Sequence, residues 1–179
     1  MPTGPGGLDS NGIWQFGEDD SEALASDLLN LGMASVSDAF TNLAGILQVL
    51  SATISTAAST SSTSFQPTGL AVTITPSATS SKVLILAHTN LRNNNVGTKA
   101  EITVFRGTTS GTDLGAFGFQ ANTGTGNSTS INHVNFLDSP STTSPTTYTL
   151  AFRSTNGSHS VVSQVDDAQG SITIMEIAG

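Results

Sequence analysis

Apolar residues recur every three to four positions between residues 27 and 58, and this spacing predicts an α-helix. They fill both apolar positions of a heptad over about four heptads, which is typical of a coiled coil. Residues 39–81 carry no charge, so the contact is wide and apolar, which favours three helices over two. We therefore predict a trimeric coiled-coil neck over residues 27–58, with a trimer seam formed by Leu29, Met33, Val36, Phe40, Leu43, Leu47, Leu50 and Ile54.

The charge-free stretch at 39–58 is also long enough for a transmembrane helix. Its polar side chains, among them Asn42, Gln48 and Thr53, would need partners in lipid, and its apolar residues follow one stripe instead of covering every face. The sequence therefore favours a coiled coil over membrane insertion.

After a polar Ser/Thr hinge at 59–64, the apolar period changes to two, which is typical of β-strands. Short strands separated by Gly, Pro, Asn and Ser turns predict an antiparallel jelly-roll sandwich, a β head over residues 65–179. The fold class is therefore mainly β with an N-terminal helical neck. The predicted strands are Gly69–Thr75, Lys82–Leu91, Ala100–Arg106, Gly115–Ala121, Ser130–Leu137, Thr146–Ser154, His159–Val165 and Ser171–Ile177.

Two of these strands are apolar on both faces, over residues 83–87 and 172–177. One face fills a sandwich core, and the other is then available to meet neighbouring copies. This pattern supports a homo-oligomer.

The N-terminal residues 1–26 are rich in Gly and Asp around one aromatic island, Ile13, Trp14, Gln15 and Phe16. The island has too little apolar surface to fold alone, and Trp14 is the only tryptophan of the chain. We predict an extended segment whose aromatic side chains fill a pocket on another protein. The alternative is that the island packs back on its own neck.

Charge is low and unevenly distributed. The net charge is −8, and residues 1–38 hold seven of the 13 acidic residues and no base. Five Lys and Arg scattered along the chain form no cationic stripe, so partners such as nucleic acid or an anionic membrane surface are not expected. The chain has no cysteine, and its first residues lack the pattern of a secretory signal peptide.

Catalytic signatures are missing from the sequence, so we expect no enzyme activity and neither a cofactor nor a metal. His88, His133 and His159 lie on different predicted strands without ligand spacing, which favours structural or solvent-facing roles. A histidine on a threefold axis would meet its two copies and could hold an ion. Asp166 and Asp167 occupy a predicted turn, where paired acids are mostly solvated but could hold Ca²⁺.

Two stretches carry a resemblance to a known family. NGIWQFGEDDSEALASDLLNLG at 11–32 resembles the N-terminal attachment segment of tailed-bacteriophage fibre proteins. In the head, TGLAVTITPSATSSKVLILAHTNL, TTYTLAFRSTNG and GSITIMEIAG resemble strand phrases of the small trimeric jelly-roll heads of phage fibres, whose fold is that of tumour-necrosis-factor-like trimers.

The resemblance implies a homotrimeric structural protein on the virion surface, a tail or capsid fibre held to other virion proteins through the residues near Trp14. Its head would face outward for host adhesion, with a host-surface glycan or protein as partner. A capsid decoration protein without a receptor role and a dedicated receptor-binding tail module are the alternatives. A neck of only about four heptads, roughly 40 Å long, favours the capsid surface.

Overall fold

The computed structural model describes residues 7–8, 14–15, 45–115, 117–124 and 126–179. The chain divides into two compact units, residues 1–44 and 45–179. In the first unit, strand β1 (Gly7–Leu8) pairs antiparallel with strand β2 (Trp14–Gln15), and Leu8 lies opposite Trp14. No helix within the described parts of either unit is long and apolar enough to cross a membrane.

The second unit consists of strands joined by turns and one short 3-10 turn, Val165–Asp167. Its strands are β3 (Ile46–Ile54), β4 (Ala58–Thr60), β5 (Gln66–Ile74), β6 (Lys82–Asn93), β7 (Lys99–Arg106), β8 (Thr112–Asp113), β9 (Gly118–Ala121), β10 (Ser128–Asp138), β11 (Thr146–Ser154), β12 (Val161–Ser163) and β13 (Gly170–Ile177).

These strands form two antiparallel sheets. The first sheet has the order β3-β13-β6-β10, and β12 followed by β4 extends it beside the far end of β6. The second sheet has the order β5-β11-β7, and β8 and β9 share the remaining edge of β7. The chain crosses repeatedly from one sheet to the other, so most neighbours within a sheet are distant in sequence.

The core lies between the two sheets, and strands such as β6 and β13 alternate buried inward residues with outward ones. In β6 the inward residues Val83, Ile85 and Leu91 are fully buried, and Ile172 and Ile174 of β13 lie beside them. Tyr148, Leu150 and Phe152 of β11 fill the opposite side. The unit is therefore a β-sandwich, as the period of two predicts.

All eight predicted strands are present, with ends displaced by up to three residues. The helical prediction is wrong where the structure describes the neck: Ile46–Ile54 is a strand at the edge of the first sheet, paired with β13. Its apolar residues satisfy a heptad spacing, but its β-branched and hydroxyl side chains suit a strand that has a partner to pair with. Residues 27–44 lie outside the described residues. Strand β4 (Ala58–Thr60) contains the last residue of the predicted neck and the first two of the predicted hinge, so the helix and the hinge are wrong there too.

One buried polar cluster joins the two sheets. Asp138, at the end of β10 in the first sheet, accepts hydrogen bonds from two residues of the second sheet: Arg106 Nε at 2.8 Å and Tyr148 Oη at 2.7 Å. The Asp138 hydrogen bond raises the pKa of Arg106, and burial, helped by the same carboxylate, raises the pKa of Tyr148. Both groups therefore stay protonated and donate to the carboxylate.

Replacement of Asp138 by Ala should destabilise the fold, because it leaves Arg106 and the buried Tyr148 hydroxyl without their shared acceptor. We expect a loss of about 3 kcal/mol in the free energy of unfolding, measured by urea denaturation. Asn135→Ala on the outward face of the same strand is the control, with an expected change of about 0.5 kcal/mol or less. Equal losses in the two variants would contradict a special role for the cluster.

Candidate functional site

The outer face of the first sheet carries a continuous row of apolar side chains across four strands. Val49 of β3 lies opposite Met175 of β13, Met175 lies opposite Leu84 of β6, and Leu84 lies opposite Leu137 of β10. Val49 and Leu137, at the two ends, are 53% and 48% exposed, and the two central side chains are half-buried. An apolar row of this width is unusual on the surface of a monomer.

Further apolar side chains flank this row. Ile46 pairs with Ile177 on one side of it, and Leu86 lies one outward position further along β6. We call the whole set the apolar end of the sheet. It consists of Ile46, Val49, Leu84, Leu86, Leu137, Met175 and Ile177.

The same face is almost uncharged. Lys82 and Arg92, at the two ends of β6, are the charged outward residues of the four strands, and the positions between them hold Ser, Thr, Asn, His or apolar side chains. The row from Val49 to Leu137 therefore brings no charge of its own into a contact with another protein.

The outer face of the second sheet is different, because the chain covers it with its own residues. Phe105 of β7 is 6% exposed and stacks edge-on against Phe65, with ring centroids 5.7 Å apart. Arg153 lies over the Phe65 ring and forms an ion pair with Glu101 at 2.8 Å. This covering leaves the first sheet as the face with an extended apolar surface.

A buried carboxylate holds edge strand β3 in place. Glu176 of β13 accepts hydrogen bonds from the Gln48 side chain of β3 and from the Ser77 backbone N–H and hydroxyl, at 2.7 and 2.6 Å. Burial acts to raise the pKa of Glu176, but the hydrogen bonds outweigh it and hold the pKa at about 2, below its usual 4.5. The ionised form thus secures the strand that carries Val49.

The predicted particle-attachment residues are only partly described. Trp14 and Gln15 form β2, while Ile13 and Phe16 lie outside the described residues. Attachment therefore stays a prediction.

The predicted trimer seam divides in the same way. Leu29, Met33, Val36, Phe40 and Leu43 lie outside the described residues, while Leu47, Leu50 and Ile54 lie on β3. The last three are not helical, as described above. Their contact with other copies stays a prediction, now for a strand.

The structure brings two of the three histidines together. His88 lies directly opposite His133 on the outer face, whereas His159 is bonded through Nδ1 to Thr98 Oγ1 in another region. Spacing along the sequence could not show this pair, because it depends on how β6 and β10 are aligned. Asp166 and Asp167 both have left-handed backbone conformations, and Asp166 forms an exposed ion pair with Arg92 at 3.4 Å.

Comparisons with known proteins give little beyond these observations. No protein-family model and no curated protein matches the chain. Among solved structures, it is similar to chains of infectious bursal disease virus Gt strain (18% identity, 72% of this chain and 32% of that chain, TM-score 0.40) and of the T13 particle of that virus (16%, 73% and 31%, 0.40). The chain thus spans about a third of those chains' length, and a likeness this slight carries no argument.

The pKa of Glu176 predicts how stability depends on pH. Because this pKa is lower in the folded chain than in the unfolded one, its contribution is fully present above pH 4.5 and is lost as the pH falls to about 2. In Glu176→Gln we expect a loss of about 2 kcal/mol at pH 6, and the difference from wild type should shrink toward pH 2. Thermal unfolding midpoints measured between pH 2 and 7 check this.

Asp166→Asn is the matched control, since the Asp166 side chain is 82% exposed and its ion pair should contribute little. This variant should keep the acid dependence of the wild type. A Glu176→Gln variant with the same acid dependence as the wild type would contradict the assignment.

Proposed function

We propose that the protein is a structural, non-enzymatic component of a virus particle, exposed on its surface as a homotrimer. The apolar end of the first sheet carries this proposal, because it is a wide, uncharged surface that the folded unit does not use for its own core. In the proposal, three copies meet through this face, and the segment around Trp14 attaches the trimer to other virion proteins.

Energetics support burial of the apolar end between copies. Burying a Val, Leu or Ile side chain completely contributes about 1.5–3 kcal/mol, so a half-exposed side chain retains roughly 1 kcal/mol that association can gain. The free energy gained by burying several such side chains in each copy is comparable with the cost of association, which is about 4–15 kcal/mol. Lys82, in register with Ile177, is the charged outward residue beside this end, and its long side chain can keep the ammonium group in water while its methylene groups are buried.

Strand order gives further support at the level of fold. Seven long strands and the short β9 lie in the orders β3-β13-β6-β10 and β5-β11-β7-β9, which agrees with the arrangement of a jelly roll, a fold common in viral capsid and lectin domains. Because a fold alone does not specify a function, this agreement adds to the proposal without carrying it.

The alternatives differ in what the head does. The chain could decorate a capsid without a receptor role, or it could be a dedicated receptor-binding module of a tail. Phe117 and Phe119 are about half exposed with ring centroids 6.0 Å apart, and the Lys99 ammonium lies 5.1 Å from the Phe119 centroid. This aromatic pair is the surface on which a receptor role would depend.

Sedimentation tests the association. We expect the full chain to sediment as three copies at micromolar concentration. Val49→Lys and Leu137→Lys should each favour monomers and raise the dissociation constant of the trimer at least about ten-fold. Every copy would then bury an unpaired ammonium group in the contact. Both positions are about half exposed, so the unfolding midpoint of the isolated unit should change little.

Phe117→Lys is the matched control, since Phe117 is 51% exposed but lies next to β9, which belongs to the second sheet. It should leave the trimer intact. A monomeric wild type, or a Phe117→Lys variant that dissociates as readily as Val49→Lys, would overturn the proposed interface.

Incorporation into particles tests attachment. Removing a buried anchoring Trp usually costs 2 kcal/mol or more, so Trp14→Ala should lower the amount of the protein in purified particles by about ten-fold or more. Quantitative mass spectrometry of particles made with each variant measures this, with Phe117→Lys again as control. Particles that contain no wild-type chain would refute the virion assignment, and full incorporation of Trp14→Ala would refute the anchor.

A further inference from the structure

His88 of β6 and His133 of β10 form a cross-strand pair on the outer face of the first sheet. They are directly opposite in the antiparallel register, and their ring centroids lie 5.6 Å apart with an interplanar angle of 40°. The pair lies four residues along β6 from Leu84, so it is separate from the main apolar row. At about 3.4 Å per residue, this is roughly 13 Å away.

Neighbouring side chains orient the His88 ring. Ser171, opposite His88 on β13, has its hydroxyl oxygen 2.9 Å from Nδ1 of that ring. When Nδ1–H donates to this oxygen, the lone pair is on Nε2, which is the tautomer that a metal ion needs. Metal-binding histidines commonly donate their second nitrogen to such an outer partner.

The spacing of the rings fits a shared ion. With a Zn–N distance of about 2.0–2.1 Å and tetrahedral angles, two imidazoles on one ion have centroids roughly 5 Å apart. The observed centroid distance of 5.6 Å is close to that value, and the exposed His133 ring has no hydrogen-bond partner among the described residues that would have to be broken.

A third polar group lies beside the pair. Asn90, the next outward residue of β6, has a side-chain oxygen that is buried without a hydrogen-bond partner among the described residues. A buried acceptor without a partner is costly and uncommon. Asn90 is the polar outward residue of β6 nearest in sequence to His88.

The chemistry of these donors selects the class of ion. Two imidazole ligands suit Zn²⁺, Ni²⁺ or Cu²⁺ and do not suit Ca²⁺ or Mg²⁺, which prefer oxygen ligands. No group of three or more His, Asp or Glu able to hold a metal occurs in the described part of the chain. The ion would therefore keep open positions for water, and it would bind more weakly than in a closed structural site.

We propose that His88 and His133 bind one divalent transition-metal ion on each chain, with Ser171 as a positioning residue. The site does not depend on trimer formation, because both ligands belong to one chain. It gives the outer face a metal-responsive group next to its apolar end.

Zinc titration of the full chain, read by competition with a chromophoric chelator, tests the proposal. We expect one Zn²⁺ per chain, with binding weakened at least ten-fold in His88→Gln and in His133→Gln, and weakened several-fold in Ser171→Ala. His159→Gln should bind as the wild type does, since His159 lies outside the pair. Addition of Zn²⁺ should shift the NMR signals of the His88 and His133 rings and leave those of His159 in place.

Several results would overturn the site. The first is a wild type that binds no zinc at millimolar concentrations of the ion. The second is equal binding by the wild type and the His88→Gln/His133→Gln double variant. The third is an equal loss of binding in all three single histidine variants. Mg²⁺ in place of Zn²⁺ should produce no ring shifts, and comparable shifts would show that the imidazoles are not the ligands. Unfolding midpoints of the variants separate a lost ligand from a lost fold.

Discussion

The register of β6 determines the rest of the structure. This 12-residue strand is paired along one edge with β10 and along the other with β13 and then β12, so both of its edges are fully used. Its odd-numbered residues from Val83 to Asn93 face the core, and its even-numbered residues face outward. A shift of one residue would place Leu84, Leu86 and His88 in the core and expose Val83 and Ile85. Pairing on both edges excludes such a shift, so the core, the apolar row and the histidine pair are all fixed by one alignment.

The contacts that hold the two sheets together do not involve the outer face of the first sheet. Between the sheets, apolar packing is supplemented by the Asp138 carboxylate, which receives hydrogen bonds from Arg106 and Tyr148 across the sandwich. At the edge, Glu176 ties β3 to β13 and to the turn at Ser77 from the inner side. The outer face of the second sheet is covered by the chain itself around Phe105. Folding of the unit and the proposed association through the first sheet therefore rest on different residues, so we expect each to change with little effect on the other.

Strand positions could be predicted from the sequence because alternation is a local property. Strand β11 has the predicted ends, Thr146 and Ser154, whereas the contact with other copies that the two-sided apolar pattern of β6 and β13 predicts stays a prediction. Strand β3 was missed because Leu47, Leu50 and Ile54 fit a heptad as well as an edge strand with apolar residues on both faces, and periodicity alone cannot separate the two. The Asp138 cluster and the histidine pair depend on which strands become neighbours, and no spacing within one strand contains that information.

The composition of the chain, and not only the size of the apolar end, indicates that this surface has a role outside the folded unit. Charged residues are only 10% of the sequence, so its surface is kept soluble mainly by Ser, Thr, Asn and Gly. Threonine is also β-branched and would suit the strand conformation at Val49 and Ile177 equally well. Thr53 and Thr173 occupy such outward positions on the same face. Neither the core nor the pairing requires apolar residues at these outward positions. The proposed contact with other copies of the chain would account for apolar residues at these positions.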